Sequence, residues 1–232
     1  MKISYIKEDF LSLIWPRICA GCGNSLFKHE NVICARCWMN LPRTNFHLLA
    51  DNPVSRIFWG RVNIEMASSF LFFSKGNTVQ HLMHCLKYKN NKEVGIILGK
   101  VYGYELKKTE IYSSVDKIIP VPLHPKKLKL RGYNQSEMIS KGLSESMGIP
   151  VETEVLIKNT ATDSQTHKTR FNRWENVSEV FALQNTEKVE NQHLLLVDDV
   201  VTTGATIESC TGLLLTIKNV RVSLATLACA VK

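Results

Sequence analysis

The chain has 232 residues, 44% of them hydrophobic and 22% charged, an ordinary globular balance that excludes a disordered chain. That length accommodates one sizeable core, or one full domain with a small appendage. A formal net charge of +8 and a pI near 9.1 favour acidic partners such as polyphosphates or nucleic acid. No apolar run reaches the roughly 18 residues of a membrane span. Glu8 and Asp9 interrupt the N-terminal stretch that could pass as a signal peptide, so a cytoplasmic protein without a membrane span is expected.

The first 50 residues hold two cysteine pairs, CAGC and CARC, with Cys19, Cys22, Cys34 and Cys37 in the spacing C-x2-C-x11-C-x2-C. In a reducing compartment two such turns point to metal rather than disulfides, each presenting two thiolates to one ion. Gly21 and Gly23 ease the first turn. Four thiolates leave no open coordination position, so the expected Zn2+ is structural. A redox pair or an iron–sulfur cluster are the alternatives this spacing leaves open. Residues 1–50 contain too few apolar side chains for a core of their own and read as a zinc-finger module, double zinc ribbon-like, with 51–60 a connector and 51–232 the main domain.

From Val62 onward strand and helix patterns alternate. MASSFLFF (Met66 to Phe73) suits a strand, and TVQHLMHCLKY repeats Val79, Leu82, Met83 and Leu86 at helical spacing, resuming through VGIILGKVYGYEL. DKIIPVPL (Asp116 to Leu123) is a strand that runs into prolines and ends in a loop. A helix is expected from Asn134, with Glu137 as a capping-box-like partner, to Gly148. VETEVLIK and HLLLV follow as strands, TIESCTGLLLTIK as a helix, and VRVSLATLAC as a closing strand. This order predicts an α/β fold with a parallel sheet flanked by helices. Cys85, Cys210 and Cys229 sit in apolar patterns and read as buried thiols, and His81 and His84 as packing or surface residues.

The stretch LLLVDDVVTTGATIESC carries the chemistry. HLLLV is continuously apolar, as a central parallel strand should be, and Asp198 and Asp199 follow at its carboxyl end, where ligands bind in such sheets. Thr202, Thr203, Gly204, Ala205 and Thr206 then turn into a helix whose free N–H groups suit a phosphate. A terminal phosphate held there would place a pentose back at the strand end, within reach of both carboxylates. The stretch lacks the lysine of a Walker loop and the three glycines of a dinucleotide fingerprint. Between Val121 and Ser136, Lys126, Lys127, Lys129 and Arg131 put four cations within six residues beside Pro122 and Pro125. On its own this run fits either a pyrophosphate, a nucleic-acid backbone, or simply a solvated loop.

VDDVVTTGAT closely resembles the phosphoribosyl-pyrophosphate (PRPP) binding motif of type I phosphoribosyltransferases. PVPLHPKKLKLRGYNQS, the CAGC and CARC pairs, LKYKNNKEVG and TDSQT resemble, in the same order and along essentially the whole chain, the ComF/GntX family of competence-associated proteins. The resemblance implies a type I phosphoribosyltransferase-like domain behind an N-terminal zinc finger, binding PRPP with Mg2+. It implies that Asp198 and Asp199 orient the ribose and that Thr202 to Thr206 hold its phosphate. Pro122, Leu123, His124, Lys126, Lys127, Arg131, Tyr133, Asn134 and Gln135 would form the pyrophosphate loop. TDSQTHKTRFNRWENVSEVF (Thr162 to Phe181) would be the closing loop, with Arg170 and Arg173 at the reacting centre and Gln165 and Asn176 functional. The chain departs from the family pattern at His167 and Lys168. If active, it would be a phosphoribosyltransferase, a glycosyltransferase whose acceptor no segment names. The family also implies a link to DNA uptake, with a competence helicase or other DNA-uptake proteins as partners. The alternative is a non-catalytic protein that uses the PRPP fold as sensor or scaffold and binds single-stranded DNA, with Trp38, Trp59 or Trp174 stacking on bases.

Overall fold

In the computed structural model, which describes residues 16–158 and 181–230, the expected apolar runs assemble into one four-stranded sheet. Its order is β1 (Met66–Phe72), β6 (Arg221–Cys229), β5 (His193–Val201) and β2 (Lys117–Pro120), every neighbouring pair parallel. A separate antiparallel pair joins β3 (Leu156–Lys158) to β4 (Phe181–Leu183). The described helices are α1 (Ala35–Met39), α2 (Pro53–Arg56), α3 (Thr78–Tyr88), α4 (Glu93–Leu106), α5 (Glu110–Ser113), α6 (Pro125–Arg131), α7 (Gln135–Met147) and α8 (Ala205–Leu214).

Both faces of the sheet are covered, which is why HLLLV is apolar at every position after its histidine. Leu195 and Val197 enter a cluster with α3, α4 and α7, whereas Leu194 and Leu196 enter a second one with α8 and the β3/β4 pair. Near the carboxyl ends this alternation slips. Phe70 and Leu71 of β1, and Leu227 and Ala228 of β6, each put two successive side chains into the first cluster. At the same level of β5, where Val200 pairs with Ala228 in unbroken register, Asp199 and Val200 both border one cavity beside α3.

Helices α4 and α7 meet backbone to backbone. Gly95, Gly99 and Gly103 recur every fourth residue on α4, and a Cβ at Gly99 would lie 2.3 Å from the Ile139 carbonyl oxygen. A Cβ at Gly142 of α7 would lie 2.0 Å from that of Ile96. The cysteine segment packs on the same side: Cys19, Ala20, Ile33, Cys37 and Leu41 share a cluster with the buried face of α3. Residues 42–44 cover the open edge of β1, where Thr44 N–H donates to Phe70 O at 3.0 Å and Phe72 N–H to Pro42 O at 2.8 Å.

Three local readings change. The stretch 51–60, expected as a connector, is packed: Asn52 caps α2 by accepting from Val54 and Ser55 N–H, and Val54 and Phe58 are buried. The basic run, expected as a loop, contains α6, because Pro125 suits a first helical turn, His124 accepts from Lys126 N–H at 3.1 Å, and Gly132 at φ 77° ends it. VETEVLIK does not add a full strand to the parallel sheet. It touches β2 only through the bridge of Val151 to Ile118 before β3 turns away to pair with β4. The expected helix start holds, with Asn134 accepting from Ser136 N–H and Gly148 closing α7 at φ 77°.

Candidate functional site

The turn from β5 into α8 forms a small cavity of about 70 Å³ lined by Asp198 and by Val200 through Ile207, so that Thr202, Thr203, Gly204, Ala205 and Thr206 all border it. Gly204, at φ 78°, is the N-cap of α8 and no side chain caps that end, which leaves first-turn N–H groups available to an anion. Glycine is required here twice over. Its φ disfavours other residues, and a Cβ would lie 2.7 Å from Ile57 Cγ2 and 2.9 Å from Phe58 Cε1. From outside, Arg61 donates to Thr203 O at 3.0 Å and pairs with Glu208, bracing the turn.

The adjacent acids lie within β5 rather than beyond it, and they have different partners. Asp198 Oδ1 accepts from Ser136 Oγ at 3.0 Å and from Asp199 N–H at 2.8 Å. Burial, reinforced by the Asp199 charge, raises the Asp198 carboxyl to about 7. Asp199 Oδ2 instead pairs with Lys87 Nζ of α3 at 2.9 Å. It borders a second cavity of about 410 Å³, formed between α3, Phe73 and the stretch from Asp199 to Thr202. Lys158, at the end of β3, lies 4.6 Å from the Phe181 ring centroid, and burial lowers its pKa while the Asp198 charge opposes the shift.

On α6, Lys126, Lys127 and Lys129 are exposed and form no ion pair among the described residues. Pro122, Leu123 and His124 are half-buried in the turn before α6. Arg131 sits 5.4 Å from the Tyr88 ring centroid and donates to Gln135 Oε1 at 2.6 Å. The next three residues of the expected pyrophosphate loop fasten the α6–α7 turn to the core. Tyr133 Oη donates to Leu86 O, Asn134 Nδ2 to Val121 O at 3.0 Å, and Gln135 Nε2 to Tyr133 O at 3.2 Å. Gln165, Arg170, Arg173, Trp174 and Asn176 lie outside the described residues.

The four cysteines of the paired turns converge, their Sγ atoms all within 4.8 Å of one another. The Cys22 and Cys34 sulfurs are 3.8 Å apart, the edge of a thiolate tetrahedron around Zn2+ at about 2.3 Å. Cys19 Sγ accepts from Cys34 N–H at 3.2 Å and Gly21 N–H at 3.4 Å. Burial opposes its ionisation, but the backbone donors of Cys34, Cys22 and Gly21 bring its thiol down to about 7. Buried Glu30 ties the two turns together by accepting from Phe27 N–H and Ala35 N–H at 2.9 and 2.6 Å. The donor set fits a zinc ion.

Lys87, Tyr88, Ser136, Arg61 and Lys158 were not legible as site residues. The helical stripe of α3 shows which residues face the core, and by elimination that Gln80, His84 and Lys87 lie on another face, but not what they meet.

A parallel sheet flanked by helices, with a carboxylate pair at the end of β5 and a glycine-led, uncapped helix start after it, fits the type I phosphoribosyltransferase fold. The family model described as phosphoribosyl transferase domain matches residues 134–231. The chain is 28% identical over 206 residues to the DNA utilization protein YhgH of Shigella flexneri, covering 85% of this chain and 84% of that protein. Over 111 residues it is 32% identical to competence protein F of Haemophilus influenzae, covering 47% and 48% of the two chains. The chain is a homologue of these proteins and carries a phosphoribosyl transferase domain, which bears out the ComF/GntX resemblance of its motifs. Among solved structures, the glutamine PRPP amidotransferase from B. subtilis is similar with a TM-score of 0.43 and 18% identity. That match covers 62% of this chain but 30% of the amidotransferase.

Proposed function

We propose that this chain binds PRPP, with its 5′-phosphate in the Thr202–Thr206 cradle, its ribose at the Asp198 and Asp199 end of β5, and its pyrophosphate toward α6. The observation that carries this reading is the open, uncapped start of α8 directly beside Asp198. Asp198 accepts ribose hydroxyls in its ionised form, held in place by Ser136, while Asp199 exchanges part of its Lys87 contact for the sugar. Lys126 and Lys127 supply positive potential on the pyrophosphate side. Mg2+ would offset the pyrophosphate charge, and the two carboxylates are hard oxygen donors of the kind it takes. In the paired cysteines, Cys19, Cys22, Cys34 and Cys37 would hold one structural Zn2+.

PRPP with Mg2+ is expected to raise the melting temperature of the chain, and Asp198→Asn combined with Asp199→Asn to abolish the shift. A double variant stabilised as much as the parent would sink the ribose assignment. Transfer of the phosphoribosyl group is tested by pyrophosphate release from PRPP against a panel of nucleobases, amines and single-stranded DNA.

A second reading, binding of single-stranded nucleic acid without catalysis, is favoured by Lys126, Lys127 and Lys129 of α6, which are exposed and without an ion pair among the described residues, and by exposed Trp59 with Arg56 5.9 Å from its ring centroid. Trp38 is half-buried against the core and suits stacking less. The relatives' names, which speak of DNA utilization and competence, are consistent with this reading and with both activities in one protein. DNA affinity would fall steeply with salt, whereas PRPP occupancy would depend on Mg2+ and the aspartates.

A further inference from the structure

A third cavity, of about 340 Å³, shares no lining residue with the two at the end of β5. It opens where the loop between α3 and α4, the start of α4, the turn from α6 into α7 and the flank of α7 meet. Its volume lies in the range of small-molecule pockets, about 300–1,000 Å³. Neither carboxylate of β5 and no lysine of α6 borders it, so the PRPP reading leaves it without a role.

Charge is matched along the seam of α4 and α7 except here. Lys100 of α4 pairs with Glu145 of α7 at 3.6 Å. One helical turn earlier on α7 stands Lys141, and α4 brings Lys92 to the same cavity in place of a counter-ion. Neither lysine forms an ion pair among the described residues, and Glu93, the carboxylate at the cavity, pairs with neither. Two cations and one anion leave the site net positive, and the two like charges favour an anion that enters between them. The start of α4 has no side-chain cap, so its first-turn N–H groups add potential of the same sign. Asn90 and Glu93 supply neutral and anionic partners for hydroxyl groups, and Ile96 and Met138 an apolar wall.

We infer that the cavity between the α4 start and α7 is a second ligand site, which binds the phosphate ester of a hydroxylated body, a sugar phosphate. The phosphate is held by Lys92 and Lys141, and the hydroxyls by Glu93 and Asn90. A phosphate dianion takes charge-assisted hydrogen bonds from both lysines at once, which a carboxylate or a neutral sugar does less well. The site also has a mechanical consequence. Its floor includes Gly132, which ends α6, and Tyr133, whose hydroxyl donates to Leu86 O of α3. A ligand that joins α4 to α7 therefore braces the turn between α6 and α7 and the end of α3 together.

The test uses the full zinc-loaded chain, with glucose 6-phosphate and ribose 5-phosphate as probes and glucose and inorganic phosphate as controls. Acetylation of lysines, read by mass spectrometry, locates the ligand. At least one probe is expected to protect Lys92 and Lys141 while Lys126 and Lys127 stay reactive, with glucose giving no protection and inorganic phosphate less. In titration calorimetry that probe should bind about tenfold more weakly to Lys92→Ala combined with Lys141→Ala and as in the parent to the double arginine variant. Both lysines are exposed, so the variants should melt as the parent does without ligand, which separates a lost site from a lost fold. No protection by either probe, or affinity unchanged in the double alanine variant, overturns the inference. Protection by inorganic phosphate equal to that by the esters overturns the hydroxylated body. Protection that appears only with PRPP and Mg2+, and extends to Lys126 and Lys127, makes this cavity part of the PRPP site and overturns a separate one. Asp198→Asn combined with Asp199→Asn should leave the protection of Lys92 and Lys141 intact, so the result does not depend on the PRPP reading.

Discussion

Asp198 and Asp199 are neighbours in the chain but not in environment. Asp198 is lifted to about 7 by burial first and by the Asp199 charge second, against the pull of the Asp199 N–H, Ser136 and Lys87. A carboxyl raised in the folded state contributes stability that is fully present below its unfolded value near 4 and is lost as pH rises through about 7. Without ligand, the melting temperature should therefore carry a declining component across that window, and Asp198→Asn should flatten it. Under the proposed ribose contact binding should run the other way, because an ionised carboxylate is the stronger acceptor for hydroxyls. PRPP affinity is expected to rise between about pH 6 and 8 in the parent and to be weak and nearly pH-independent in Asp198→Asn. Titration calorimetry at several pH values measures this, and an identical pH profile in the variant would assign the effect to another group.

At the scale of elements, two helices position the site by opposite means. α3 is amphipathic and works through side chains: Val79, Leu82 and Leu86 anchor it while His84, Lys87 and Tyr88 face the cavity. α7 is fixed through absent side chains, since Gly99 and Gly142 let it lie against the backbone of α4, and its first turn then delivers Ser136 to Asp198. The same substitution should consequently have opposite signs at two glycines. Gly142→Ala forces a Cβ to 2.0 Å from the Ile96 carbonyl oxygen and should cost about 1–3 kcal/mol. Gly212→Ala on α8 meets nothing within 4 Å and should stabilise by about 0.5–1 kcal/mol. Urea denaturation of the two variants provides the comparison. A neutral Gly142→Ala would mean that the helices can separate without cost.

For the whole molecule, the cysteine segment is continuous with the main core. Cys19 and Cys37 share a cluster with Val79 and Leu82, and Cys85 of α3 approaches Ala20 O at 3.6 Å. Metal bound by the paired cysteines would thereby support the helix that lines the larger cavity. Purified chain should hold about one Zn per molecule, and a chelator should lower the melting temperature and weaken ligand binding together. Metal analysis that finds iron or none would overturn the assignment. Stripping that leaves ligand binding untouched would uncouple the cysteine segment from α3.

The chain's own pattern was enough to determine the parallel sheet, because strands buried on both faces must be apolar throughout, and to determine the turn from β5 into an uncapped helix start, because glycine and threonines are contiguous in DDVVTTGAT. The convergence of the four cysteines was legible for the same reason, since each pair is a local turn. The partners of the acids were not. Lys87 and Ser136 come from two other elements and meet β5 only when the sheet and helices pack, so no spacing records them. Nor does any local pattern announce that adjacent carboxylates serve different cavities. That division depends on a slip in strand alternation shared by β1 and β6 and on which helix covers each face, and both are properties of the assembled sheet.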